Sequence, residues 1–568
     1  MTTRKIALST LAAVTSLALT LAMSPAADAS PRGASPAHRS ATPQAQTASY
    51  IVQASSLDAA KAAVRAAGGR TTHELDIIEA VAAQLTPAQA AALRAQGARV
   101  FADSAVETTA TEQMEMGGGG SGSTQGSVYP VTVHADVLHA QGITGTGITV
   151  AVIDSGAQPD MGIAKGTAGQ TRLLAGFDAI SNALIGKVTS TDTDDYGHGT
   201  HMASIAVSSR LDAADGYNGI APNANLVYVK AFDGLGRGSY AAVIRGINWV
   251  VSNKSKHNIR VLNLSFGATP RSWYWNDPLN QAVMKAWQSG IVVVAAAGNS
   301  GPQGMTIGVP GNVPYVITVG AMTDNYTPTD LADDRLASFS SAGPTYEGFV
   351  KPELVAPGGH MLGIMGASDY LSRTYPQFFD GSYYFRMSGT SHATAVTSGI
   401  VALMLQAQPS LTPNQVKCKL MSSTRPAVDA SGKLAYTVFQ QGTGLVDAEA
   451  AVYSSNTSCG NVGLDIAADL AGTKHFGGPA HQRADGTFYV VDASGNEINQ
   501  QGYLWNNGYL WNNGYLWSNG YLWSNGYLWN QGYLWNNGYL WNNGYLWNQS
   551  TVAPATSFAG VNSWVEQE

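Results

Sequence analysis

Three residues combine reactive side chains with glycine-flanked turns. Asp154 closes the apolar run Val150-Ala151-Val152-Ile153 and is followed at once by Ser155-Gly156, which lets the chain turn sharply. His198 lies in Asp195-Tyr196-Gly197-His198-Gly199-Thr200-His201, and Ser391 in Gly389-Thr390-Ser391-His392-Ala393-Thr394. Together they are the parts of nucleophilic hydrolysis: a hydroxyl that attacks, an imidazole that takes its proton, and a carboxylate that orients the imidazole. Each alone has a plainer explanation. Asp154 could cap a turn or helix, and Ser391 could be an ordinary helix cap. His198 could be a turn histidine or, with His201, half of a metal pair that lacks further ligands at helical spacing.

Chemistry of this kind needs rigid elements that bring the three together. Between about Val128 and Val452 the chain alternates strand-like apolar runs with helical segments. The runs are Ile148 to Ile153, Asn225 to Lys230, Arg260 to Ser265, Ile291 to Ala296 and Val316 to Gly320; helices are expected over Tyr240 to Asn253 and Pro278 to Ser289. Continuously apolar strands interleaved with helices indicate a parallel sheet covered on both faces. Asp154 then falls at the carboxyl end of a strand, where open α/β sheets place their sites. Met202 to Val207 suits a helix packed beneath the site. Ala395 to Gln406 suits a buried helix with Ser391 at its N-terminus, where free N–H groups and the dipole favour a developing negative charge.

The order Asp, His, Ser is that of the subtilisin triad and differs from the orders in chymotrypsin-like and α/β-hydrolase enzymes. With it, Val152-Ile153-Asp154-Ser155-Gly156, Gly197-His198-Gly199-Thr200-His201 and Gly389-Thr390-Ser391-x-Ala393-Thr394 resemble the three signatures of the subtilisin-like (subtilase) serine peptidases. Ala295 to Ser300 resembles the oxyanion segment of that family, and Leu264-Ser265-Phe266-Gly267 its edge strand beside the specificity pocket. The resemblance implies a three-layer α/β sandwich with a mostly parallel sheet, and a serine endopeptidase using the Asp154/His198/Ser391 triad. Asn299 would serve as oxyanion donor, and Ser265, Phe266, Gly267 and Gly298 would bind protein or peptide substrates. The chain also departs from the pattern. His392 stands where the family commonly has Met and could compete for hydrogen bonds near Ser391. Ala395-Val396-Thr397 replaces Pro-His-Val, and Gln158-Pro159-Asp160 replaces a His-Pro pair. No cofactor is required by such chemistry and no metal ligands are assigned; structural calcium stays open, with no residues to carry it.

The flanks divide clearly. Two cationic residues, Arg4 and Lys5, precede the apolar run Ile6 to Met23 and then Ala27-Asp28-Ala29, which reads as a signal peptide over 1–29 and implies a secreted, extracellular product. Residues 48–107 read as a small α+β unit: strands at Tyr50-Ile51-Val52, Ala80 to Leu85 and Arg99-Val100-Phe101, helices at Leu57 to Ala67 and Ala88 to Gln96, the second opened by Thr86-Pro87. It is similar in element order to the inhibitory propeptide of subtilases, which would make the chain a zymogen with an intramolecular inhibitor. Residues 108–127 hold a glycine-rich linker, 128–455 the peptidase domain, and 456–500 a connecting region of uncertain structure. Over 501–549 the hexapeptide Gly-Tyr-Leu-Trp-Asn/Ser-Asn/Gln runs eight times, followed by a tail over 550–568. Because six is even, Tyr and Trp share one face of any extended copy. Meandering strands, a coil of hexapeptide rungs and a disordered aromatic tail all fit.

Composition narrows the partners. Charged residues are only 12% of the 568, the formal net charge is −7, and no Lys/Arg cluster longer than a pair occurs, which argues against nucleic acid. The only two cysteines, Cys418 and Cys459, can pair in an oxidising compartment or remain two buried thiols. A rival to the protease reading is a surface-binding or self-associating repeat protein with a catalytically weak protease domain. In it, the aromatic repeat would hold a cell-surface or polysaccharide ligand.

Overall fold

The computed structural model describes residues 46–107, 128–498 and 515–516, apart from 186–192, 212–215, 325–326, 328–329, 331–332, 430–433 and 493. The signal-peptide segment 1–29, the linker 108–127, the tail 550–568 and nearly all of the repeat lie outside the described residues.

A nine-stranded sheet organises the peptidase region. Seven of its strands run parallel, across the sheet from Leu173–Asp178 through Asn225–Lys230, Thr149–Asp154, Ile259–Leu264, Val292–Ala296 and Ile317–Thr323 to Leu354–Pro357. Short antiparallel strands, Ala183–Ile185 and Arg335–Leu336, flank this parallel set. The central strands Thr149–Asp154 and Val292–Ala296 are buried at every position, as a sheet covered on both faces requires. Helices His198–Val207 and Thr390–Ala407 pack together on this sheet, and Tyr240–His257 and Pro278–Gln288 form a second packed pair. Asp277 caps the last of these by accepting from Leu279 N at 2.9 Å and Asn280 N at 3.0 Å, with Pro278 at the first helical position.

The N-terminal unit is a four-stranded antiparallel sheet with two helices. Alternation along its strands divides it into two faces. Val52, Val81, Ala83 and Leu85 join Ala60, Val64, Ala90 and Leu93 of the helices in a private core, while Ile51, Ala80 and Ala82 belong to the main core of the chain. That second face meets Tyr240–His257 and Pro278–Gln288. Ile77 N donates to Asn248 Oδ1 at 3.1 Å and Gln53 Nε2 to Gln281 Oε1 at 2.9 Å. Thr86 caps its helix with Pro87 at the first position, as the sequence predicts, and Gln89 completes a capping box. The strand Arg70–Leu75 was not legible in the sequence: Arg-Thr-Thr-His-Glu-Leu has one apolar residue and no alternation.

Residues of the 456–500 region fold onto the domain. Cys418 and Cys459 are joined in a disulfide with Cα atoms 5.0 Å apart. A short helix Ile466–Leu470 and strands Phe476–Gly477, Ala480–Gln482 and Phe488–Val490 follow. Phe476–Gly477 pairs antiparallel with Tyr515–Leu516 of the third repeat copy. No helix among the described residues is long and apolar enough to cross a membrane.

Candidate active site

Asp154 ends the central strand Thr149–Asp154, and His198 opens the helix His198–Val207. The turn after the strand and the start of the helix touch so closely that side chains are excluded. A Cβ on Gly156, whose φ is +133°, would lie 2.2 Å from Thr193 O, and one on Gly199 would lie 2.2 Å from Gly156 O. This approach puts His198 Nδ1 2.8 Å from Asp154 Oδ1 and 2.9 Å from Oδ2, with both side chains fully buried. Asp154 Oδ1 also accepts from Ser155 N at 2.8 Å. A carboxylate accepting at Nδ1 favours the Nδ1–H tautomer and leaves the Nε2 lone pair on the side away from Asp154.

Ser391 is the second residue of the helix Thr390–Ala407. Its Oγ donates to Ser265 O at 3.0 Å, and His198 Nε2 has no hydrogen-bond partner. The hydroxyl thus rests against the strand end, and no hydrogen bond joins it to the imidazole. Ser265 Oγ returns a bond to Ser391 O at 3.0 Å and receives one from Asn263 Nδ2 at 2.8 Å, so the helix start and the strand end are laced together. Asn299 lies alongside: its Oδ1 accepts from Thr390 N at 3.0 Å and Thr390 Oγ1 at 2.8 Å, which leaves Nδ2 as the donor end of the amide. Gly298, with φ +108°, donates its N–H to Thr390 Oγ1 at 3.2 Å. Phe266 is buried against Phe232, so this residue, just past the strand Ile259–Leu264, keeps its ring in the core and leaves its backbone to the site.

The competition expected from His392 does not occur. Its Nδ1 faces Gly389 O at 3.3 Å, and its ring stands edge-on to His201 at 5.0 Å and His198 at 6.4 Å. Burial, with the neighbouring His201 and His198, pushes its pKa well below the ordinary histidine value. His201 donates Nε2–H to Phe385 O at 2.8 Å and is held down to about 3 by burial. Both rings are thus neutral packing partners. Among the described residues no group of three or more His, Cys, Asp or Glu side chains is arranged to hold a metal ion.

Two features were beyond sequence reasoning. The strand Ala105–Glu107 pairs antiparallel with Arg237–Ser239, and Glu107 bridges antiparallel to Gly267, so the end of the N-terminal unit lies extended beside the residues read as substrate-binding. The other is a strap over the Asp154 and His198 turns. Tyr370 N donates to Asp195 O at 2.9 Å and Leu371 N to Tyr196 O at 3.2 Å, with Tyr370 stacked on Tyr196 at 5.9 Å. The buried Asp369 carboxylate accepts from Gly366 N at 2.8 Å and from Gln158 Nε2. Gln158 N in turn donates to Thr200 Oγ1 at 3.0 Å, and Thr200 Oγ1 donates to Asp194 Oδ2 at 2.6 Å. Asp194 closes the chain by accepting from Gly197 N at 2.9 Å, next to His198. Loosening such a chain shifts the imidazole rather than removing it. Asp369→Ala is expected to lower kcat/KM by roughly 10- to 100-fold, mostly in kcat, measured on a chromogenic peptide. Unchanged kcat with a lowered melting temperature would reduce the strap to a purely structural tie.

Comparisons with known proteins identify the family and the fold. The subtilase family model (Peptidase_S8) matches residues 145–444. The chain is 38% identical to the serine protease AprX of Bacillus subtilis over 56% of its length and 68% of that protein. It is 35% identical to subtilisin DY of Bacillus licheniformis over 56% of its length and 96% of that protein. Among solved structures it resembles fervidolysin from Fervidobacterium pennivorans, a keratinolytic enzyme related to subtilisin, with a TM-score of 0.57 and 23% identity over 78% of this chain and 68% of the other. The chain belongs to the subtilase family of serine endopeptidases.

Proposed function

We propose that the chain is a secreted endopeptidase made as a zymogen, with Asp154, His198 and Ser391 as its triad and residues 48–107 as its inhibitor. The observation that carries the reading is the buried His198–Asp154 pair beside a helix-terminal serine. Ser391 Oγ leaves Ser265 O, gives its proton to His198 Nε2 and attacks the substrate carbonyl carbon. His198 passes that proton to the departing amine, and water repeats the sequence to release the acyl group. Asp154 stabilises the imidazolium without taking its proton. Asn299 Nδ2 and the backbone N–H of Ser391 bind the tetrahedral oxyanion. The triad chemistry needs no cofactor.

Substrate takes the place of Ala105–Glu107, adding a strand against Gly267 on one side and Arg237–Ser239 on the other. While that segment stays, it occupies the position substrate needs, which supports inhibition in cis. The basic-apolar start of the chain supports export. The test is casein hydrolysis by the wild type and by Ser391→Ala, with mass spectrometry of the N-terminus of each product. Activity and an N-terminus beyond Glu107 are expected only in the wild type. An identical N-terminus in both chains would rule out self-processing, and equal activity would rule out Ser391 as nucleophile.

A further inference from the structure

The repeat is the one distinctive motif that proteolysis does not employ, and the structure carries a seat beside which one of its copies lies. Three planar rings form a ladder on the domain: Trp273 stacks on Trp275 at 5.0 Å and 7°, and Trp275 stacks on His475 at 4.5 Å and 10°. A buried polar cluster holds the ladder. His475 Nδ1 is 2.7 Å from Asp469 Oδ1, and Asp469 Oδ2 accepts from Tyr274 OH at 2.6 Å and Tyr315 OH at 3.0 Å. The residue after His475 begins the strand Phe476–Gly477. The Phe476 side chain is fully buried and its backbone lies 3.4 Å from Tyr274 OH.

That strand pairs antiparallel with Tyr515–Leu516, in the register Phe476 to Leu516 and Gly477 to Tyr515. We propose that Phe476–Gly477 and the Trp273–Trp275–His475 ladder form a docking surface whose occupant is one Gly-Tyr-Leu-Trp copy of the same chain. Backbone pairing supplies the register and aromatic contact the affinity, the division of labour in strand addition. The composition of the repeat suits such a surface, because every extended copy carries Tyr and Trp on one face. Residues 499–514 separate Ile498 from Tyr515, a stretch whose reach is at most ~60 Å. Joined this way, a copy is held near the seat at high effective concentration whatever the protein concentration. The sequence supplies eight copies of the hexapeptide that could fill this seat.

Hydrogen–deuterium exchange tests this on full-length Ser391→Ala protein, which cannot digest itself. Its partner is the same chain with the repeat tyrosines and tryptophans changed to serine, which keeps the length. The Phe476 and Gly477 amides are expected to exchange about tenfold faster in the serine-substituted chain. Trp273→Ala, on a partly exposed ring, is expected to give a smaller acceleration at the same amides. Equal exchange in the unaltered and serine-substituted chains would overturn the proposal. Protection that grows with protein concentration would replace the occupant with a second copy of the chain. Protection that arises only on adding cell-wall polysaccharide would replace it with a glycan.

Discussion

Replacing Ser391 with alanine is expected to lower kcat by about 10⁶-fold, and Asp154→Asn by about 10⁴-fold, both with little change in KM. These are the magnitudes known for triad residues of subtilisin and chymotrypsin, and the geometry here gives reasons to expect them. In the proposed triad Ser391 Oγ is the attacking hydroxyl, so its loss leaves oxyanion binding alone. The Asp154 change is more discriminating because it keeps the shape. Both carboxylate oxygens lie within 2.9 Å of His198 Nδ1. An asparagine amide turned toward that nitrogen donates where a proton should be accepted, and the proton moves to Nε2. An imidazole protonated there cannot take the Ser391 proton. Steady-state rates on a peptide substrate, with circular dichroism to show folding, measure both. An Asp154→Asn enzyme retaining a tenth of the wild-type kcat would mean that another carboxylate orients the histidine.

Glu353→Gln is expected to cost about 3–5 kcal/mol of stability, the range for uncoupling a buried ion pair. Glu353 is fully buried and its Oε1 holds two lysines, Lys351 Nζ at 2.7 Å and Lys417 Nζ at 2.8 Å, both buried as well. Its Oε2 accepts from Thr318 N at 2.8 Å on a central strand. Removing the carboxylate leaves two buried lysine amines with neutral acceptors: Val316 O and Thr318 Oγ1 for Lys351, Pro314 O and Asn461 Oδ1 for Lys417. Burial pushes the Lys351 pKa down to about 7, with Lys417 adding to the fall and Glu353 opposing it.

The unfolded lysine titrates near its ordinary 10.5. Between about 7 and 10.5 the unfolded state therefore holds more protons than the folded one, and stability rises with pH across that window. Lys351→Met should flatten the rise. Denaturant midpoints in a Ser391→Ala background would measure both effects. A Glu353→Gln loss below about 1 kcal/mol would show that the neutral acceptors alone satisfy the lysines.

The legible parts of the chain were those where local sequence and tertiary demand coincide. Val150 to Ile153 reads as a buried strand because it is one, and Gly156 and Gly199 are glycines because backbone passes where a Cβ would sit. The helix at Ser391 is continuous small and apolar sequence. What stayed hidden depends on partners far along the chain. Arg70–Leu75 becomes a strand by pairing with Ala80–Leu85, whose own apolar pattern carries both. Asp369 looks like a loop aspartate until Gln158, 211 positions away, is placed against it. The Lys351–Glu353 pair resembles a surface charge pattern, and only the strand and helix around it show that it is interior. The 456–500 region gave no periodicity because its elements are two to five residues long.

The disulfide decides what a proteolytic nick near the C-terminus would release. It links Cys418, on the helix Pro413–Met421, to Cys459, 41 residues further on. A single cut anywhere in the intervening loop would divide the chain without releasing either piece. The C-terminal fragment, with Phe476–Gly477 and the repeat, would stay attached through sulfur. Such a nicked molecule would run as one band on a denaturing gel and separate into two only after reduction.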